Sequence, residues 1–95
     1  MQSNIFQEQA KVINTKGIAD NTFETTMHSP RISEHVKPGQ FINILPSSNW
    51  PNMMRRPMSV ASQDESTISI IYKVVGEGTQ IIKDWAINQE VDILG

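Results

Sequence analysis

Two adjacent arginines stand before a proline and a serine in the middle of the chain, in the order Arg55-Arg56-Pro57-Met58-Ser59. In an extended strand Arg56 and Met58 share one face, and Arg55 points to the other. A planar guanidinium beside a small hydroxyl donor is suited to binding a phosphate group. The alternative is structural: two solvated arginines protect an edge strand from aggregation, next to a proline that has no N–H to donate. Taken alone, this motif favours the structural interpretation.

A second motif, Val75-Gly76-Glu77-Gly78-Thr79, stands directly before a helical pattern. Glycine allows the backbone to approach a ligand closely, and a helix start offers unpaired N–H groups, so the turn is suited to an anion. It is weak evidence alone, because most such turns are only caps and corners. The motif lacks the Lys-Ser/Thr of a Walker loop and the three glycines of a dinucleotide-binding βαβ unit.

The two motifs together predict more than either does alone, because a single predicted strand separates them. They would provide two phosphate-binding elements, one on each side of that strand. A dinucleotide, such as a flavin dinucleotide, suits this arrangement, with its pyrophosphate between Arg56 and the helix start. The backbone of Ile71, Tyr72 and Lys73 would then face a flat heterocycle.

Composition restricts the class of protein. The chain has 95 residues, enough for one domain. Its 8 basic and 10 acidic residues give a net charge of −2, which argues against non-specific binding to nucleic acid or anionic membranes. The lack of cysteine excludes a disulfide framework and any Cys-ligated zinc or iron–sulfur site within these residues. Without an apolar span or a signal-peptide pattern, we expect a soluble cytoplasmic domain.

Turn residues divide the chain into short segments with strand chemistry, and isoleucine and valine far outnumber leucine. Alternation is clearest where Ile70 and Tyr72 point one way while Ile71 and Val75 point the other, so we expect this strand to be covered on both faces. Among the predicted turns are Lys16-Gly17, Asp20-Asn21 and Ser29-Pro30. The predicted strands are 5–14, 22–28, 40–45, 58–61, 67–75 and 91–94.

One helix is predicted over residues 79–87, where Ile81, Ile82 and Trp85 lie on one face. Thr79 is the expected N-cap, and Asn88 is the expected stop. Six short strands with turns at this spacing are typical of a small antiparallel barrel or sandwich.

The ordered motifs resemble the flavin domain of the ferredoxin reductase superfamily. Within it, the chain is most similar to the electron-transfer subunits of NAD-linked dihydroorotate dehydrogenase, and the resemblance extends over nearly the whole sequence. The matching segments are Arg-Arg-Pro-Met-Ser-Val-Ala-Ser at 55–62, Tyr-Lys-Val-Val-Gly-Glu-Gly-Thr at 72–79, Val-Asp-Ile-Leu-Gly at 91–95 and Pro-Gly-Gln-Phe at 38–41.

The resemblance implies a mainly β fold over residues 1–95. This is a six-stranded antiparallel Greek-key barrel that binds FAD and has one short helix between strands five and six. Arg56 matches the phosphate-binding arginine of the superfamily, and no residue is expected to act as an acid or a base. The other implied FAD-binding residues are Pro57, Met58 and Ser59 after the arginine, Ile71, Tyr72 and Lys73 along the flavin, and Gly78 and Thr79 under the pyrophosphate.

Two departures from the superfamily pattern matter. Many members have tyrosine where Met58 stands, which favours the dihydroorotate dehydrogenase subunits and implies weaker stacking on the flavin ring. Members also continue, beyond the position of Gly95, into a nicotinamide-binding domain and the cysteines of a [2Fe–2S] cluster. We therefore expect the N-terminal part of a longer protein, catalytically incomplete by itself.

In the family, electrons would pass from dihydroorotate through the catalytic subunit's flavin, the cluster and this FAD to NAD, in pyrimidine biosynthesis. The implied partner is the catalytic subunit, within a heterotetramer. Two alternatives stay open: another ferredoxin-reductase-like oxidoreductase subunit, and a β-barrel binding module without redox function.

Three further residues near the arginines have two interpretations each. Trp50, in a loop, marks either a ligand edge or an interface. Met53 and Met54, with Met58, are either gap-filling core residues or a soft apolar wall beside the flavin.

Overall fold

Six antiparallel strands close into a barrel in the computed structural model, which describes residues 5–51 and 54–95. Around the barrel the order is β1-β2-β5-β4-β3-β6, so β6 returns beside β3 after three consecutive strands. This is a Greek key, and the predicted fold class is confirmed. The elements are β1 (Gln7–Ala19), β2 (Thr22–His28), α1 (Pro30–Ser33), β3 (Phe41–Leu45), β4 (Arg56–Gln63), β5 (Thr67–Lys73), α2 (Glu77–Lys83) and β6 (Glu90–Leu94).

Alternate side chains of the strands fill the barrel with one apolar core. Helix α1 contributes Ile32 and α2 contributes Ile82, both fully buried. Trp85, just after α2, is buried, and its indole Nε1 donates to the Pro46 carbonyl at 2.9 Å. The chain after β5 is thereby attached to the end of β3. Within the described ranges, neither helix has the length and hydrophobicity needed to cross a lipid bilayer.

Strand β1 is longer than predicted, because Lys16-Gly17 is not a turn. The strand continues to Ala19, and the hairpin turns at Asp20-Asn21, where Asn21 adopts a positive φ of 54°. Gly17 pairs with Phe23 of β2, and a Cβ at Gly17 would lie 3.6 Å from the Phe23 ring. That distance is ordinary van der Waals contact, so the ring does not require a glycine here. Gly17 instead stands next to an irregularity in the β1–β2 pairing, between Gly17 and Ala19, which is a common position for glycine inside a strand.

The sequence does not predict helix α1, because Ser29-Pro30 has the composition of a turn. Proline occupies the first turn of this one-turn helix, where its missing N–H is harmless. Glu8, on β1, takes the place of a local cap. Its Oε1 accepts from Ser29 Oγ at 2.7 Å and from Ile32 N at 3.0 Å, while Oε2 accepts from Arg31 N at 3.2 Å. A cap supplied from another strand has no local sequence signal.

The neighbourhood of β5 differs from prediction in two ways. Ile71 and Val75 are 45% and 72% exposed, so the expectation that this strand is covered on both faces was wrong for this chain. Helix α2 begins at Glu77 and ends at Lys83, earlier at both ends than expected. Asn88 lies in a later turn, with φ of 72°. Asparagine adopts positive φ more readily than most residues, which indicated the end of the helix. Here Asn88 instead forms the turn that leads into β6.

Replacing Glu8 by glutamine tests the long-range cap. Burial opposes ionisation of Glu8, but the bonds from Ser29, Ile32 and Arg31 outweigh it and hold the pKa of this carboxyl below its ordinary value. The carboxylate therefore stabilises the fold above that ordinary value, and the contribution disappears as the pH falls through the lower folded pKa. We expect Glu8→Gln to lower the free energy of unfolding by about 1–2 kcal/mol at neutral pH.

The measurement is urea unfolding of the two proteins between about pH 7 and about pH 3. The difference between them should shrink toward the acid end. A difference that stays constant with pH would show that the ionised carboxylate is not what stabilises α1.

Candidate functional site

The wall of the barrel opens between β4 and β5. Their pairing ends at Val60 and Ile70, although β4 extends back to Arg56 and β5 continues to Lys73. Residues 56–59 therefore form one side of an opening, and residues 71–73 form the other. The sequence predicts that the first segment contains the phosphate-binding motif and that the second lies along a flavin. Strand ends that leave their mutual ladder present backbone groups to whatever occupies the space between them.

A cleft of about 210 Å³ lies at the end of this opening, lined by Trp50, Arg56 and residues 75–79. It brings together Arg56, Gly78 and Thr79, three of the predicted phosphate-binding residues. Pockets that enclose a whole drug-sized ligand measure about 300–1,000 Å³. This cleft is smaller, so it can enclose one part of a dinucleotide, such as its pyrophosphate, while the remainder lies along the surface.

Gly78 allows two side chains to pack against the backbone of the cleft. A Cβ at this position would lie 3.3 Å from Arg56 Cγ, 3.4 Å from Arg56 Cδ and 3.5 Å from Trp50 Cη2. The aliphatic part of the arginine and the tip of the indole therefore occupy the space above the glycine. Glycine at this position favours close approach of the two side chains, because an added Cβ would make a tight contact with Arg56.

Thr79 is not the helix N-cap that the sequence predicts. It is the third residue of α2, whose N-cap is Gly76. Its Oγ1 accepts from the N–H of Val75 at 2.9 Å and of Gly76 at 3.2 Å, and it donates to the Gly76 carbonyl. The hydroxyl thus holds the turn together and uses two of the N–H groups expected for an anion. The N–H groups of Glu77 and Gly78 belong to the first helical turn, where no helical acceptor is available.

The two adjacent arginines have separate roles. The Arg55 side chain is 11% exposed, and its Nη2 lies 2.9 Å from Asp92 Oδ1. Its Nη1 donates to the carbonyls of Asp92 and Asn43, and Gln7 Nε2 donates to Asp92 Oδ2 at 2.9 Å. Arg55 therefore joins β3, β6 and β1, and the interpretation of two solvated arginines was wrong for this one. Arg56 is exposed at the cleft.

Two predicted residues direct their side chains into the core. Met58 is 8% exposed, and Tyr72 is 6% exposed. The Tyr72 hydroxyl lies 2.8 Å from Thr25 Oγ1, which in turn lies 2.8 Å from Thr15 Oγ1. Burial raises the pKa of Tyr72 despite these hydrogen bonds. Met58 and Tyr72 thus build the wall behind the opening, where only their backbones are near its edge.

The remaining predicted residues of the two strands, Pro57, Ser59, Ile71 and Lys73, are exposed. Of the methionines near the arginines, Met58 is a core residue. Met54 is 62% exposed, so the interpretation of this residue as a gap-filling core side chain was wrong. Met53 lies outside the described residues.

A larger cleft, of about 400 Å³, lies between β1, β6 and the segment that follows β3. The sequence did not predict it, and it includes none of the predicted site residues. Glu90 and Asp92 line it, and Arg55 beside them is already paired with Asp92. A bound anion would be repelled by the Glu90 carboxylate there. We therefore place the phosphate in the smaller cleft, although the other cleft is larger. Among the described residues, no three His, Asp or Glu side chains form a group able to hold a metal ion.

Comparison with known proteins identifies relatives along almost the whole chain. It is 34% identical over 93 residues to the dihydroorotate dehydrogenase B (NAD(+)) electron transfer subunit of Lysinibacillus sphaericus, covering 96% of this chain. It is 32% identical over 90 residues to the same subunit of Fusobacterium nucleatum, covering 93% of this chain. The chain is homologous to the electron transfer subunit of dihydroorotate dehydrogenase B. The resemblance predicted from the motifs is confirmed, although no family model matches.

The chain spans 36% and 35% of the lengths of these two electron transfer subunits. Solved structures give the same fold. An NADH-dependent reduced ferredoxin-NADP oxidoreductase superposes with a TM-score of 0.82 at 25% identity, covering 93% of this chain and 32% of that one. The ferredoxin reductase of carbazole 1,9a-dioxygenase, in an FAD apo form, gives 0.75 at 18% identity, covering 96% and 29%. The similarity to the carbazole 1,9a-dioxygenase reductase, at 18% identity, shows a shared fold only.

The two arginines give a direct test of their separate roles. Arg55→Ala leaves the Asp92 carboxylate without its partner at the junction of three strands, so we expect the free energy of unfolding to fall by about 2–4 kcal/mol. Arg56→Ala removes an exposed side chain and should change it by less than about 0.5 kcal/mol. Urea unfolding of the two variants decides the matter. Equal losses would mean that both arginines are structural.

Proposed function

We propose that this chain is the FAD-binding part of a dihydroorotate dehydrogenase B electron transfer subunit. The observation that carries the proposal is the meeting of Arg56 and Gly78 at one cleft, at the end of the opening between β4 and β5. The homologous proteins are electron transfer subunits of dihydroorotate dehydrogenase B. FAD, when bound, would supply the redox chemistry, and the protein would supply binding, orientation and electrostatics.

The residues of the site would divide this work. The Arg56 guanidinium would neutralise the pyrophosphate, and the N–H of Gly78 would donate to it. Thr79 would keep the turn in shape through its bonds to Val75 and Gly76. The flavin ring would lie along the backbone of residues 71–73, with Lys73 at its edge as a positive charge. Met58 and Tyr72 would support the site from behind, and Pro57, Ser59 and Ile71 would flank it.

The activity of the whole protein is a further part of the proposal. In it, the catalytic dihydroorotate dehydrogenase subunit is the partner, within a heterotetramer, and electrons pass through a [2Fe–2S] cluster and this FAD to NAD. The NAD-binding domain and the cluster ligands would lie outside these residues, and we expect the assembly in the cytoplasm. Another ferredoxin-reductase-like activity is the second candidate, supported by the TM-score of 0.82.

Titration with FAD tests the assigned phosphate contact. We expect the protein to bind FAD with quenching of flavin fluorescence, and Arg56→Ala to weaken binding by about 1.5–3 kcal/mol, the value of a charged hydrogen bond. Arg56→Lys should restore only part of it, since lysine lacks the planar fork. Arg31→Ala, at the exposed arginine on α1, is the matched control. Unchanged FAD affinity in a folded Arg56→Ala variant would remove the assignment. A colourless protein that ignores FAD would favour the non-redox barrel.

Replacing Gly78 by alanine tests the packing at the cleft. Alanine is the better helix former by about 1 kcal/mol, so stability should change by less than about that amount. The added methyl group would lie 3.3 Å from Arg56 Cγ, so the arginine side chain would have to shift by a few tenths of an ångström. We therefore expect FAD affinity to fall several-fold in a protein that unfolds at the same urea concentration. Full affinity with alanine present would show that close packing over the glycine is unimportant for binding.

A further inference from the structure

Trp50 is a fixed aromatic wall of the cleft. Its backbone N–H donates to the Ser47 carbonyl at 3.0 Å, and its indole Nε1 donates to the Met54 carbonyl at 2.7 Å. The side chain is half-buried, so part of the ring faces solvent. A tryptophan that is held at both its backbone and its ring nitrogen is a rigid surface, since little conformational entropy is left to lose when a ligand contacts it.

The indole lies beside the expected pyrophosphate position. Its Cη2 is 3.5 Å from the point where a Gly78 Cβ would be, and Arg56 Cγ is 3.3 Å from that same point. Among the described residues that line the cleft, Trp50 is the one aromatic side chain. A ligand that places a phosphate group at Arg56 and Gly78 would therefore bring its neighbouring groups to the indole.

The lining of the cleft indicates which part of the ligand this is. Arg56, at the start of β4, lines the cleft, whereas residues 57–59 and 71–73, which border the opening, do not. Trp50 lines the cleft itself, beyond the residues that border the opening. If a flavin ring occupies the opening and the pyrophosphate lies at Arg56, the rest of a dinucleotide leaves on the Trp50 side. A mononucleotide ends at its phosphate and does not extend that far.

We infer that Trp50 contacts the adenosine half of FAD and makes this site select FAD over FMN. The inference rests on the proposed FAD function and adds a specificity-determining residue to it. An indole is suited to this role because every base has a face that stacks on an aromatic ring. Riboflavin monophosphate has no second base to stack.

The charges of the cleft do not distinguish the two flavins. Arg56 and Glu77 are the charged side chains among the described residues that line it, and they have opposite signs. A terminal phosphate, as in FMN, carries about −1.5 to −2 at neutral pH on a single phosphorus. In the pyrophosphate of FAD each phosphorus carries a single ionised oxygen. The total charge brought to the cleft is therefore similar for the two flavins, and the preference for FAD is expected to come from the indole.

The experiment is a pair of fluorescence titrations, with FAD and with FMN, on the 95-residue protein and two variants. Trp50→Leu keeps an apolar side chain in the loop but removes the ring, and Trp50→Phe keeps a ring. We expect Trp50→Leu to weaken FAD binding by about five- to hundred-fold, the range for loss of one base stack. FMN affinity should change by less than about two-fold, and Trp50→Phe should retain most of the preference for FAD.

Trp85→Phe is the matched control, because Trp85 is buried and bonded to Pro46, away from the cleft. It should leave the ratio of the FAD and FMN affinities unchanged. Equal losses for FAD and FMN in Trp50→Leu would overturn the inference, since they would mean that Trp50 only shapes the phosphate cleft. Unchanged FAD affinity would overturn it as well. Failure of the unmodified protein to bind either flavin would instead contradict the proposed function.

Discussion

The site depends on the packing of the Arg56 side chain over Gly78. One residue starts a strand and the other lies in the first turn of a helix, and they meet only because β4 and β5 part after Val60 and Ile70. If the two strands had stayed paired to their ends, the opening would be closed by backbone hydrogen bonds. If residue 78 carried a Cβ, the arginine side chain would have to move by a few tenths of an ångström. A discontinuity in the sheet and a missing Cβ together create the cleft.

The rest of the barrel makes that discontinuity tolerable. A closed barrel has no free edge strands, so a local gap between two of its strands does not unravel the sheet. Arg55 joins three strands through Asp92, immediately beside the residue that remains free for a ligand. Successive side chains of an extended segment point to opposite sides. That alternation allows two adjacent arginines to serve one structural and one binding purpose.

Most of the fold could be predicted from the alternation of apolar residues and from the order of the motifs. The predictions that failed did so for physical reasons. The inward alternation of Ile68, Ile70 and Tyr72 was visible in the sequence, because a barrel wall imposes the period of two on each strand. Glu8 could not be recognised as a cap, because it meets α1 only after the chain has folded back on itself. Thr79 looked like an N-cap because its type is typical of one, although it acts from three residues inside the helix.

The same limit applied to the site. The motifs indicated Arg56 and Gly78 separately, but their contact depends on where the β4–β5 ladder ends, which no local pattern encodes. Trp50 stood out only as an aromatic residue in a loop, and its neighbours there became evident from the fold. The outward faces of Ile71 and Val75 misled for another reason: apolar side chains predict burial, yet in this chain they are exposed.

Amide NMR spectra of the protein recorded with and without FAD would locate the bound ligand. We expect the largest shifts on adding FAD at the backbone of residues 56–59, 71–73 and 76–79. The indole N–H signal of Trp50 should move, and that of Trp85 should stay unchanged. Shifts concentrated at Gln7, Gln89 and Asp92 would place the ligand in the larger cleft. That result would contradict the claim that Arg56 over Gly78 is the phosphate site.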